Sequence, residues 1–287
     1  MKIWINGNLC DREQATVSVF DHGLLYGDGV FEGIRVYNGK VFKLKEHIDR
    51  LYASARAIML DIGMSEAAMM KATEETVKAN EKKEGYIRLV VTRGVGDLGI
   101  NPATCKKATI IIIIIVGDIS VYPQEHYSKG IAIITSSVRR ISPHQFDTRI
   151  KSLNYLNNIL AKIEAANAGC MEALMLSAEG FIAECTADNV FAVRKGKLYT
   201  PHRSGSNLEG ITRGTVLGAA GRLGIPAEET TLTQYDMYTA DECFMTGTGA
   251  EIMPVTKIDG RIIGDGKPGT VTESLRNEFW KIVKEEC

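Results

Sequence analysis

Residues 108–116 read Ala108-Thr109-Ile110-Ile111-Ile112-Ile113-Ile114-Ile115-Val116. The run stops at Gly117-Asp118, far short of the ~20 apolar residues a membrane-spanning helix needs. A β-branched run of this length reads as a strand buried on both faces. Hairpin signals surround it. Asn6-Gly7, Asn38-Gly39, Ala178-Glu179-Gly180, Lys195-Gly196 and Asp259-Gly260 each separate two short apolar stretches, so a mostly antiparallel sheet system follows. Helical periodicity fills the gaps. Residues 44–60 align Leu44, Ile48, Leu51, Ala55 and Ile58 on one stripe, and residues 65–82 start at the cap Ser65. Residues 152–168 are expected to turn Leu156, Ile159, Leu160 and Ile163 inward, and residues 212–223 and 270–285 are also helical. The fold class is α+β in two domains. A smaller one spans 1–118, with the isoleucine run as its central strand. A linker at 119–129 contains Pro123, and a larger domain spans 130–287.

Composition narrows the function. A chain of 287 residues suits about two domains. Its 34 Lys+Arg against 35 Asp+Glu leave a net charge of −1, which argues against a basic nucleic-acid binder and an acidic disordered tail. Cys10, Cys105, Cys170, Cys185, Cys243 and Cys287 are scattered, with no CxxC and no histidine at zinc spacing. No metal is expected, and a reducing cytosol suits them better than a disulfide framework. The chain opens on the strand Lys2-Ile3-Trp4-Ile5 with no signal or transit pattern, so a cytoplasmic protein without a membrane partner is expected.

Gly94-Val95-Gly96-Asp97-Leu98-Gly99 matches a dinucleotide fingerprint, but Ile100-Asn101-Pro102 follows where a helix should start, so the phosphate-binding reading fails. Better candidates lie elsewhere. Gly210-Ile211-Thr212-Arg213-Gly214 enters a helix that Thr212 can cap, and Gly247-Thr248-Gly249-Ala250-Glu251 is a second small-residue turn. Two such loops suit one phosphate, or are ordinary capped turns. Lys151 precedes Ser152 at a helix mouth, with Tyr155 four residues on. Its amine is a Schiff-base nucleophile held neutral by the helix dipole, or a solvated surface group. Glu184 is placed on the face of Ile182, as a satisfied buried acid or a partner for a cationic ring nitrogen. Arg50 lies at the edge of its helix's apolar stripe, either solvated or clamping a phosphate. Tyr86 and Arg88 share one strand face, suiting a substrate carboxylate or a cross-strand pair.

Together these stretches resemble the branched-chain aminotransferases, within the fold type IV pyridoxal phosphate enzymes. The resemblance runs from Asp21–Arg35 through His47–Leu51, Tyr86–Arg88, Lys151–Asn157 and Glu184–Phe191 to Ile211–Arg213 and Gly247–Glu251. It implies a D-amino acid aminotransferase-like fold whose larger domain has a β-barrel-like core, with pyridoxal 5'-phosphate between the domains. It implies that Lys151 holds the cofactor and moves the substrate Cα proton, that Tyr155 bonds the ring oxygen, and that Glu184 keeps the pyridine nitrogen protonated. Arg50, Ile211, Thr212 and Thr248 would hold the phosphate, with Leu208, Gly210 and Gly247 beside the cofactor. Tyr86, Thr248 and Gly249 would take the α-carboxylate, Tyr26 and Phe31 would wall an apolar pocket, and Arg88 would meet a γ-carboxylate. The implied reaction moves the amino group of L-leucine, L-isoleucine or L-valine to 2-oxoglutarate, ending biosynthesis or opening degradation of these amino acids.

The family's D-amino acid aminotransferases usually carry Arg-x-His where this chain has Tyr86-x-Arg88. That pair favours L-substrates over the D-amino acid aminotransferase or aminodeoxychorismate lyase alternatives. A non-enzymatic phosphate-ligand binding module is the alternative of another class. Asp28-Gly29, small and polar, departs from the family's pattern, which implies a pocket wall different from that of other members. The resemblance also implies a homodimer, extending to a higher oligomer such as a hexamer, in which loop Asp97–Pro102 brings Ile100 to the partner's pocket.

Overall fold

The computed structural model describes residues 1–115, 122–203 and 206–287. They group into two compact units: Met1–Ile119 with Ile150–Asn154 and Glu286–Cys287, and Ser120–Arg149 with Tyr155–Glu285. The expected start of the linker lies outside the described residues, and its end is helical, at Gln124–Lys129.

The first unit carries strands β1 (Lys2–Ile5), β2 (Asn8–Asp11), β3 (Gly29–Tyr37), β4 (Lys40–Val41), β5 (Gly85–Thr92) and β6 (Thr109–Ile115). They form one sheet in the order β2-β1-β6-β5-β3-β4, antiparallel at every pairing. Asn38 and Gly39 turn β3 into β4 with φ of 50° and 78°, the positive pair a tight hairpin requires. Helices α1 (His22–Tyr26), α2 (Leu44–Ala57) and α3 (Glu66–Ala79) complete the unit. The stripe Leu44, Ile48, Leu51 and Ala55 is buried as expected, and Ser65 caps α3 by accepting from the Ala68 amide.

The isoleucine run is an interior strand, but it is not dry on both faces. Ile110 and Ile112 are buried in the core with Met69, Ala72 and Val77, while Ile111 and Ile113 are only half-buried. The reason is topological. A run buried on both faces belongs to a parallel sheet with helices on either side, whereas an antiparallel sheet can leave one face less covered.

The second unit holds β7 (Ile131–Thr135), β8 (Glu172–Leu176), β9 (Ile182–Cys185), β10 (Asn189–Arg194), β11 (Lys197–Pro201), β12 (Ala227–Thr230), β13 (Glu242–Gly247), β14 (Glu251–Ile258) and β15 (Arg261–Ile262). Their order is β12-β11-β10-β13-β14-β7-β8-β9, with β15 on β14. β9 ends this path yet packs against β10 and β11, so the sheet curls back on itself like an opened barrel. Helices α4 (Gln124–Lys129), α5 (Leu156–Asn167), α6 (Ile211–Arg222), α7 (Gln234–Tyr238) and α8 (Thr270–Glu286) accompany it.

Two expectations are corrected here. α5 starts at Leu156, and its buried face is Asn158, Ala161 and Ala165. Leu156, Ile159, Leu160 and Ile163 are exposed. Small residues let the helix lie close to β8, and periodicity alone does not tell which of two apolar stripes the sheet takes. The second concerns Glu184. The β8–β9 register shifts between Met175 and Leu176, pairing Leu174 with Cys185, Met175 with Glu184 and Leu176 with Ile182. That irregularity breaks the simple alternation. Cys185 joins Ile182 in the apolar core, and Glu184 does not.

The half-covered β6 carries a stability prediction. Ile112→Ala should cost about 3 kcal/mol, and Ile113→Ala about 1 kcal/mol, because only part of its side chain leaves water. Equal costs in urea unfolding would contradict the one-sided burial.

Candidate active site

In the first unit, Lys151 does not sit at a helix mouth. Its segment runs extended beside β3. The Phe31 amide donates to the Lys151 carbonyl at 3.0 Å, the Leu153 amide to the Gly29 carbonyl at 2.9 Å, and Val30 bridges Ser152. The Lys151 amide donates to Ser54 Oγ at 3.1 Å. The helix-dipole argument for a neutral amine therefore falls, and so does a helix face shared with Tyr155, which is the residue before α5. What the geometry gives instead is an aromatic floor. Lys151 Nζ lies 4.8 Å from the Phe31 ring centroid, and the Arg88 guanidinium carbon lies 4.6 Å from the same centroid.

Tyr86 and Arg88 do share a face of β5, with Arg88 Nη2 donating to the Tyr86 hydroxyl at 3.4 Å. A Cβ on Gly33 would stand 1.8 Å from that hydroxyl, so the missing side chain makes the seat for Tyr86.

Arg50 is engaged by a residue the motif reading passed over. Arg50 Nε and Nη2 donate to Glu32 Oε1 and Oε2 at 2.8 and 2.7 Å, and His47 Nδ1 donates to Oε2 at 2.7 Å. Glu32 is fully buried. Burial alone would raise its pKa, but Arg50 and His47 outweigh it and hold the carboxyl well below the usual carboxylate range. Burial pushes His47 toward its neutral form against the pull of Glu32. The signal was an acid inside an apolar strand, with His47 and Arg50 one helical turn apart on α2.

Tyr26 and the loop after β5 form a small assembly of their own. The Gly99 amide donates to the Tyr26 hydroxyl at 2.7 Å, and His22 Nε2 bonds the Asp97 carbonyl at 2.9 Å. Leu98 and Ile100 at its tip are 73% and 85% exposed. No α-helix follows the glycines of this loop, in keeping with the rejected dinucleotide reading. Asp28 is held by Arg93, which donates through Nε and Nη2 at 2.9 and 3.0 Å.

In the second unit, Glu184 is buried and receives three donors. Arg140 Nε reaches Oε1 at 2.8 Å, while the Leu208 amide and Asn189 Nδ2 reach Oε2 at 2.9 and 3.3 Å. Arg140 is buried too and donates on to Asn158 Oδ1 at 3.2 Å. Sequence reasoning missed Arg140, which stands in no motif and reaches Glu184 only through the fold.

α6 begins one residue earlier than expected, with Gly210 as its N-cap and no side-chain cap bond. Thr212 is therefore inside the first turn rather than its cap, and it is buried. A Cβ on Gly210 would meet Asn189 Oδ1 at 2.0 Å, and one on Gly247 would meet Asp188 Oδ1 at 1.8 Å. Both turns are thus built tight against polar side chains. Thr246 Oγ1, beside the half-buried Gly247-Thr248-Gly249 turn, is buried without a partner among the described residues.

A helix start without a side-chain cap, an orphaned hydroxyl beside a glycine turn and a buried carboxylate fit a phosphorylated pyridine cofactor. The model for the amino-transferase class IV family matches residues 29–258. The chain belongs to that family. A Pseudomonas aeruginosa branched-chain-amino-acid aminotransferase is 38% identical over 98% of this chain and 92% of its own length. The solved Escherichia coli branched-chain aminotransferase superposes with a TM-score of 0.96 at 35% identity, covering 99% of this chain and 95% of that one. A second solved branched-chain aminotransferase, holding pyridoxamine 5'-phosphate, gives 0.94 at 38% identity, covering 100% and 95%. That second protein is also solved with N-(5'-phosphopyridoxyl)-L-glutamate and with 4-methylvaleric acid. As a class IV aminotransferase the chain is a pyridoxal-phosphate enzyme.

The Arg140–Glu184 pair predicts a coupling. Arg140→Met leaves a buried carboxylate without its cation and should cost about 3–5 kcal/mol in chemical denaturation. Arg140→Met/Glu184→Gln should recover more than half of that loss. Simple additivity would show that the two side chains do not depend on each other.

Proposed function

We propose that this chain transaminates L-leucine, L-isoleucine and L-valine with 2-oxoglutarate, giving branched 2-oxo acids and L-glutamate. The observation that carries it is the Phe31 ring bearing both the Lys151 amine and the Arg88 guanidinium. An apolar surface and a cation then stand together, as a site needs if it takes both aliphatic and acidic side chains. The relatives' names, and neighbours solved with an L-glutamate adduct and a branched acid, support the same reading.

Pyridoxal 5'-phosphate, when bound, supplies the electron sink for the carbanion at substrate Cα. Lys151 Nζ would be the group that holds the cofactor and, once the substrate amine has replaced it there, the base that moves the proton at substrate Cα. Glu184 holds a proton at the pyridine nitrogen, with Arg140, Asn189 and the Leu208 amide keeping its carboxylate in place. Tyr155 donates to the ring oxygen. Arg50, Thr212, Thr248 and the Ile211 amide hold the phosphate, and Gly210 and Gly247 let backbone approach it. Tyr86, Thr248 and Gly249 orient the α-carboxylate. Phe31 and Tyr26 exclude water from the aliphatic side chain, and Arg88 receives the γ-carboxylate.

The working unit proposed is a homodimer, with assembly beyond it open to a hexamer. The exposed Leu98 and Ile100, on a loop anchored by His22 and Tyr26, support a role for Ile100 in a partner's pocket. No helix among the described residues is long and apolar enough to cross a membrane. A cytoplasmic setting is proposed from the six free cysteines.

Purified protein with added pyridoxal phosphate should show a visible absorption band that Lys151→Ala lacks, and L-donors should react while D-donors do not. Absence of the band would end the enzymatic reading, and preference for D-donors would end the substrate assignment. Arg88→Ala should lower kcat/KM for glutamate about ten-fold more than for leucine. Equal losses would remove its γ-carboxylate role.

A further inference from the structure

Glu32 has no direct part in the reaction as proposed, yet it is a fully buried acid of the first unit. Its two carboxylate oxygens accept three charge-bearing or polar donors from α2. An ion pair so placed adds little net stability over an apolar replacement, because desolvation offsets the attraction. Its effect is geometric. Both oxygens engage the Nε–Nη2 edge of Arg50, the fork-to-fork arrangement that sets the guanidinium plane. The Nη1 end is thereby turned away from the carboxylate. His47, one turn earlier on α2, braces Oε2 from a second direction.

The other link runs through the backbone. Glu32 follows Phe31 on β3, and the Phe31 amide bonds the Lys151 carbonyl while the Phe31 ring lies under Lys151 Nζ. α2 also contributes Ser54, whose hydroxyl receives the Lys151 amide. Arg50 and Lys151 are thus tied to the same two elements, β3 and α2, and Glu32 is the side chain that locks those elements together beside both.

We propose that Glu32 is a positioning residue that sets the placement of the Arg50 guanidinium relative to the Lys151 amine, and so matches the enzyme to a cofactor bearing its phosphate at one fixed distance from its aldehyde. The proposal rests on the cofactor reading above. It separates a phosphate-specific role from a merely structural one, because a scaffold residue would affect any pyridoxal-like ligand alike.

The test compares two probes, pyridoxal 5'-phosphate and pyridoxal, which share the ring and aldehyde but differ in the phosphate. Affinities are read from the visible band of the bound ligand. Glu32→Gln, close in shape but neutral, should weaken pyridoxal phosphate binding about ten-fold or more, and pyridoxal binding by less than about three-fold. In an Arg50→Met background the same substitution should change pyridoxal phosphate affinity by less than about two-fold. Should Glu32→Gln fail to unfold cooperatively, Glu32→Asp, which keeps the charge but withdraws it by one methylene, is expected to show the same difference between the probes. Equal weakening of both ligands, or no weakening of either, overturns the positioning role while leaving the cofactor reading intact. No band in the unsubstituted protein overturns both.

Discussion

The first unit depends on a backbone pairing between segments far apart in the chain. Residues 150–154 return to β3 and bond to it at Gly29 and Phe31, with a bridge at Val30. Each such hydrogen bond is worth only about 1 kcal/mol net, but together they fix a lysine backbone against a strand rather than on a loop. The side chain then has little freedom about where it can reach. A lysine held by extended backbone on one side and by a serine hydroxyl from α2 on the other does not rely on a helix dipole for its placement.

The second unit solves a different problem with similar means. Glu184 is buried in the sheet, and a guanidinium, a backbone amide and a carboxamide donate to its two oxygens and hold it in place. The β8–β9 irregularity makes this possible. It turns Glu184 away from the core that Ile182 and Cys185 fill, so the charge is not buried among apolar side chains at full desolvation cost.

Much of this was legible in the sequence because it rests on local chemistry. Five of the hairpins announce themselves by turn residues, the α2 stripe by its period, and α6 by its stop at Gly224-Ile225-Pro226. The candidate site residues are named by a pattern of motifs, but their immediate partners are not. Arg140 meets Glu184 only because distant segments converge, and nothing in its neighbours signals a buried cation. Lys151 was misplaced onto a helix because Ser152 reads as a cap, whereas Ser152 Oγ accepts the Asn154 amide in a local turn. The isoleucine run announced a strand but not its two unequal faces, since an all-apolar string carries no alternation from which coverage is read.

The seat of Tyr86 has a consequence for how such an enzyme changes over time. Gly33 lies on a neighbouring strand and presents no side chain, but any residue larger than glycine there would press directly on the Tyr86 hydroxyl. Drift at this one position would displace the phenol together with the Arg88 group bonded to it. With the proposed roles of Tyr86 and Arg88, substrate range is exposed to mutation at Gly33 as well, and a glycine becomes a hidden determinant of which side chains the protein accepts.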